Sequence, residues 1–313
     1  FALNRSGRSF RYAFEYNDRG RGFRTAPGFL RRGDIRRVGN NIAYLFWPEN
    51  KQVVNWGPGL FFDRVYDHDG TRLDWDFSPS LQWEFIGQTN LRLFYTAGRV
   101  RLRPEDFPGL PGSRDFGGPD WGFTFSSSYL PEVTIRGTFV WGKIINFAPP
   151  AGQEPFLTDA NIASLELTLR PLTPLRIENT YLFFRLEDRE AGDTILNNHI
   201  LRSRWNWQFT RELSLRAILQ YDSTLTNPVF TSLSTRKNFN ADFLLTYRVN
   251  PYTVLFVGYN GNAQNTFLCQ GPGVAGEGCP DLPPDQSALV RPRRRFINDA
   301  NLFFVKFSYL FRF

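Results

Sequence analysis

The stretch 72–85 alternates strictly between two kinds of residue. Leu73, Trp75, Phe77, Leu81, Trp83 and Phe85 share one parity, and Arg72, Asp74, Asp76, Ser78, Ser80, Gln82 and Glu84 share the other. A helix would scatter both sets around its axis, whereas a strand gives each set its own face. The same period of two recurs along the chain. It runs through Leu91, Leu93, Tyr95 and Ala97, through Trp121, Phe123, Phe125 and Tyr129, and through Val133, Ile135, Phe139 and Trp141. It returns in Leu201, Trp205 and Trp207, in Leu213, Leu215, Leu219 and Tyr221, and in Phe239, Phe243, Leu245 and Tyr247. The pattern predicts about 14 strands of roughly ten residues, the length that crosses a bilayer when tilted. No helix-period segment is long enough to form a layer. Pro79 interrupts its strand and predicts a bulge, because proline cannot donate to a ladder.

The connections form a second pattern. Those near Pro48, Gln88, Pro131, Leu172, Arg211 and Asn250 are short. Those near 19–34, 103–118, 148–158, 187–195, 224–235 and 262–298 are long, and only the turn at His68 breaks the alternation. Short turns on one side and long loops on the other predict an all-β, transmembrane, antiparallel up-and-down β-barrel, a single domain over 1–313. The expected location is a bacterial outer membrane. An even strand count would then leave both termini at the short-turn, periplasmic side.

Composition fits this reading. Aromatic residues make up 17% of the chain, yet mean hydropathy is −0.36. Alternating strands explain both, since polar positions on one face offset apolar ones on the other. No run approaches the roughly 20 apolar residues of a membrane helix. The net charge of +7 raises nucleic acid as a partner, but the basic residues are dispersed and no recognition helix accompanies them. With His68 and His199 as the two histidines, a catalytic triad or histidine metal site has little material. No enzymatic activity, metal or cofactor is therefore expected.

The polar parity gives the candidate lumen lining: Arg72, Asp74, Asp76, Glu84, Arg136, Glu166, Arg176, Glu178, Arg202, Arg204, Arg216, Asp242 and Arg248. Two readings stand side by side. These side chains line a water-filled pore with a slight preference for anions, or they pair across the interior and fill it. Cys269 and Cys279 share one loop and form a candidate disulfide. The basic run Arg291–Arg295 would sit at the outer rim, within reach of lipopolysaccharide phosphates.

The closing segment FFVKFSYLFRF places Phe303, Val305, Phe307, Tyr309, Phe311 and Phe313 two apart. It resembles the C-terminal strand of outer-membrane β-barrels. The resemblance implies that Phe307, Tyr309, Phe311 and Phe313 form a signal read by the barrel-assembly machinery. The segments 26–37 (APGFLRRGDIRR), 201–222 (LRSRWNWQFTRELSLRAILQYD), 240–260 (NADFLLTYRVNPYTVLFVGYN) and 303–313 (FFVKFSYLFRF) are similar to the C-terminal barrel region of an uncharacterised outer-membrane family. Longer members of that family carry an N-terminal domain of the carbohydrate-binding module family 9 type. The resemblance implies a barrel linked to glycan binding or uptake, and no catalytic residues. Together these features lead to the expectation of a passive, porin-like channel for small polar solutes, saccharides among them. The alternative is an anchoring barrel that holds a sugar-binding module or a periplasmic or surface partner without an open pore.

Overall fold

The computed structural model describes residues 1–23, 32–107, 110–265, 267–270, 287–290 and 296–310. It is all-β. The strands are β1 (Ala2–Ser6), β2 (Phe10–Arg19), β3 (Ile35–Tyr44), β4 (Val53–Tyr66), β5 (Arg72–Phe85) and β6 (Thr89–Leu102). They continue with β7 (Arg114–Leu130), β8 (Val133–Asn146), β9 (Phe156–Leu172), β10 (Leu175–Glu187), β11 (Thr194–Gln208) and β12 (Leu213–Thr226). The last are β13 (Arg236–Asn250), β14 (Thr253–Gln264), β15 (Phe267–Gln270), β16 (Ser287–Val290) and β17 (Ile297–Tyr309). All but β15 and β16 form one 15-stranded antiparallel sheet in sequence order. The other two pair as a separate hairpin within the loop before β17.

The registers show why alternation builds this wall. Trp83, Leu91, Phe125, Gly137, Leu165, Tyr181, Leu201, Tyr221 and Phe239 are successive partners from β5 to β13. One residue away in sequence, Glu84, Asn90, Ser126, Arg136, Glu166, Thr180, Arg202, Gln220 and Asn240 form an unbroken polar row. Each row keeps to one face, because the side-chain period of a strand is two. Aromatic pairs tie the apolar face together across strands, with Tyr95 against Trp121 at 4.5 Å and Phe123 against Phe139 at 6.1 Å between centroids.

The wall differs from the sequence reading in several places. The count is 15, because Ala2–Ser6 forms a hairpin with β2. ALNRS lacks the alternation that marks the other strands. Phe1 therefore lies beside Tyr16, with its ammonium 2.9 Å from the Tyr16 carbonyl, part-way up the wall. β17 runs toward the short-connection end. Pro79 makes no bulge: the β5–β6 ladder skips Ser78 and Pro79 and resumes in the same register, from Phe77↔Ala97 to Ser80↔Phe94. A hydrogen bond between the Ser78 and Thr96 hydroxyls, at 2.9 Å, spans the gap. The loop expected over 103–118 ends earlier, because Arg114–Pro119 already pairs with β6. These residues have no ladder with β8, whose pairing with β7 starts at Asp120↔Gly142.

Buried apolar clusters gather at the long-connection end. They are Ile35, Val65 and Leu73; Leu102, Leu110 and Ile145; and Ala160, Leu186, Ile195 and Leu196. The 227–235 connection joins the last of these through Phe230. The Phe230 carbonyl accepts a bond from Asn146 Nδ2 at 2.9 Å, and the Thr231 hydroxyl donates to the Ala148 carbonyl at 2.7 Å. Cys279, the run Arg291–Arg295, Phe311 and Phe313 lie outside the described residues, as does the Cys269 side chain, so the disulfide and the full assembly signal are not described.

Candidate functional site: the polar inner face

The concave side of the sheet is its polar side. A groove of about 430 Å³ is lined by Asn55, Glu84, Arg92, Ser126, Arg136 and Glu166, among others. A second, of about 410 Å³, shares Arg11, Gln82 and Arg92 and extends to Asn4, Asn41 and Ser80. Strand alternation alone delivers these side chains to one surface. Their spread over β1 to β9 makes a continuous polar lining rather than a pocket built by one loop.

Most of the predicted lining residues fall on this face. Arg136 and Glu166 are register partners with their charged groups 4.0 Å apart. Glu178 lies between two cations, 2.5 Å from Arg176 and 3.7 Å from Arg204. Glu84 accepts a bond from Asn55 Nδ2, and Asp242 accepts one from Asn260 Nδ2. Among the described residues no ion pair joins Arg202, Arg216 or Arg248 to an acid. Cations on the lower inner face thus exceed the acids that neutralise them. Asp76 lies opposite Asp63 on β4.

Two of the predicted residues behave differently. Arg72 is not on the inner face. A bulge at Leu73 lets Val65 pair with Asp74 but Tyr66 with Arg72, which reverses the alternation. Arg72 instead acts on Asp115, whose register partner is Arg101. Asp74 is on the inner face but is held in a cluster at the long-connection end. Arg32 reaches it with one guanidinium nitrogen, at 2.9 and 2.8 Å from its two oxygens. The same guanidinium lies 3.1 Å from Asp106 and donates to the Arg101 carbonyl at 2.6 Å. Arg103 completes the cluster, 3.0 Å from Asp106. Burial pushes the Asp106 carboxyl up, but Arg103 and Arg32 outweigh it and hold the group below the usual range. Sequence reasoning missed Arg32, because a loop arginine 42 residues from its partner leaves no periodic signal.

A second cluster joins the 20–34 connection to the 67–71 turn. His68 bridges two carboxylates, Nδ1 at 2.6 Å from Asp34 and Nε2 at 2.9 Å from Asp18. Burial raises the Asp34 pKa, but the His68 bond and the Arg21 charge more than offset it, so the net direction is down. Among the described residues no group of three or more His, Cys, Asp or Glu stands together to hold a metal ion.

No family model matches the chain, and no curated protein matches it. The resemblance to the uncharacterised family therefore remains one of sequence segments, and its carbohydrate link has no further support. Solved structures match along the wall. The FrpB iron transporter from Neisseria meningitidis (F3-3 variant) aligns at TM-score 0.45 and 10% identity, over 99% of this chain and 57% of its own. The siderophore receptor PirA from Acinetobacter baumannii aligns at 0.44 and 11%, over 95% and 54%. OmpT of Vibrio cholerae aligns at 0.32 and 10%, over 98% and 99%. The chain thus spans just over half the length of the first two. The class defined by the strand order and the two-faced wall is the up-and-down β-barrel of outer membranes.

Proposed function

We propose that the chain forms a passive outer-membrane channel for small polar solutes, with an anion bias. One observation carries this reading: the polar row from Glu84 to Asn240 crosses the inner face unbroken and borders an open groove of about 430 Å³. A wall filled by its own side chains would bury its mid-height residues. Here burial concentrates in three small clusters at one end. Arg202, Arg216 and Arg248 supply the anion bias, since uncompensated cations on the lining attract anions and repel cations. Saccharides fit the many amide and hydroxyl groups of the lining, and the family resemblance points the same way.

The inward-packed 227–235 connection favours a second reading, an anchoring barrel closed at its long-connection end. Planar-bilayer recording separates the two. A steady open conductance with an anion-selective reversal potential supports the channel. A folded, heat-modifiable barrel that stays silent supports the anchor.

A further inference from the structure

Above the Asp120↔Gly142 rung the ladder between β7 and β8 ends, and parity shows that the two strands cross. Val100, Leu102 and Phe116 carry the inner parity of β6 and β7. Ile145 and Leu157 carry the outer parity of β8 and β9. Yet all five pack into one cluster. An inner face touches an outer face only if the tip of the β8–β9 hairpin passes inside the tip of β6–β7. Two glycines make room for the crossing. A Cβ on Gly118 would lie 2.7 Å from Lys143 Cβ, and one on Gly142 would lie 2.6 Å from Asp120 Cα.

The overlap leaves a cavity of about 490 Å³ between the two layers, a size that suits a small molecule. Val100 and Phe116 form one wall, and Ile145, Phe147 and Leu157 the other. Four charged side chains also line it: Asp76, Arg99, Asp120 and Lys143. Arg99 is 3.5 Å from Asp115, and Asp76 is engaged as well. The other two are different. Asp120 Oδ1 accepts the Lys143 backbone N–H at 2.9 Å, and its Oδ2 has no partner among the described residues. The Lys143 stem lies along the inner side of Gly118, and among the described residues no hydrogen bond or ion pair engages its ammonium. Asp159, the register partner of Lys143, lies 4.0 Å from Arg189 instead. One free carboxylate and one free ammonium, both half-buried, thus border one apolar cavity.

We infer that this cavity binds a free α-amino acid with an apolar side chain, such as phenylalanine or leucine. The amino acid's ammonium meets Asp120, its carboxylate meets the Lys143 ammonium, and its side chain displaces water from between Phe116 and Leu157. An apolar acid would leave Asp120 unpaired, and an apolar amine would leave Lys143 unpaired. Half-buried charges favour the ligand that pairs them both. The cavity shares no lining residue with the two polar grooves below it. The inference therefore stands apart from the channel reading, and binding is measured whether or not the barrel conducts.

Isothermal titration into the purified barrel in detergent, corrected by a detergent blank, tests it. Heat-modifiable mobility selects folded protein. L-phenylalanine and L-leucine should bind saturably at one site. N-acetyl-L-phenylalanine lacks the ammonium, L-phenylalaninamide lacks the carboxylate, and glycine lacks the apolar body. Each should bind about tenfold more weakly or worse. These ligands are compared on the parent protein, so the ranking does not depend on any variant folding. Asp120→Asn keeps an acceptor for the Lys143 N–H and should bind phenylalanine no better than the parent binds the amino-blocked form. Lys143→Gln should likewise bind phenylalanine and its amide about equally. Absence of saturable phenylalanine binding overturns the proposal. So does a blocked analogue or glycine that binds as tightly as phenylalanine, or parental affinity in both folded variants.

Discussion

At the scale of single residues, Arg32 does the most to join distant parts of the chain. Its guanidinium is almost fully buried and ties the 20–34 connection to Asp74 on β5 and Asp106 in the next loop. Removing it leaves two carboxylates in a dry setting without their shared cation, a loss of about 3 kcal/mol in the local structure. Arg32→Ala is expected to expose the 20–34 and 103–113 connections to limited proteolysis while the wall keeps its heat-modifiable mobility. Arg32→Lys rescues little, because an ammonium cannot reproduce the planar fork that serves Asp74, Asp106 and the Arg101 carbonyl together. The same groups set a pH dependence. Asp106 and Asp34 have folded pKa values below their unfolded ones. Their stabilisation is therefore complete above about pH 4 and is lost as pH falls through the lower folded values. Loop proteolysis with an acid-active protease should be slow at pH 5 and accelerate once the pH falls below the usual carboxylate range.

At the scale of the strand, the test is parity. Leu165 on β9 faces outward in the apolar row, and Thr180, beside it on β10, faces inward in the polar one. Leu165→Arg should cost about 2–4 kcal/mol of folding into bilayers, the price of a cation at mid-depth on a lipid-facing site. Thr180→Arg should fold nearly as the parent does. Urea titration of both variants in lipid vesicles measures the difference, and equal destabilisation would contradict the assignment of faces. Tight spots follow the same logic. A Cβ at Gly258 would come within 2.2 Å of the Phe304 ring, which lies across from it on β17. Gly258→Val should therefore weaken the last ladder by about 1–3 kcal/mol, seen as faster amide exchange in β17 than in β9.

These strands were legible because alternation is a local property of the chain. Three features were not. Ala2–Ser6 has no alternation, and its strand character comes from β2 beside it. The bulge at Leu73 moved Arg72 to the outer face, and a one-residue insertion leaves no mark on composition or spacing. The inward packing of Leu110, Phe230 and Arg32 depends on partners far along the chain, so stretches read only as long connections also contribute to the buried clusters.

At the scale of the whole molecule, charge on the lower inner face sets the expected selectivity. Replacing Arg202, Arg216 and Arg248 by glutamine removes three cations that no acid neutralises among the described residues. In an asymmetric salt gradient the reversal potential should shift from the anion side toward zero or the cation side. Replacing Arg136 and Glu166 together should leave it nearly unchanged, since that pair is already neutral.

The split between β7 and β8 gives the wall a property of a different kind. Above Asp120 and Gly142 the backbone ladders of β7 and β8 continue only with their other neighbours, β6 and β9, the Lys143 N–H donating to Asp120 Oδ1 at 2.9 Å is the last link across, and a mainly apolar cavity of about 490 Å³ borders the split. In mechanical terms this is a notch cut into the rim of a sheet. Load drawn along the wall concentrates at the root of a notch. Under a pulling force the sheet should therefore begin to tear at the Asp120–Gly142 rung, dividing β1–β7 from β8–β17 before either half unravels.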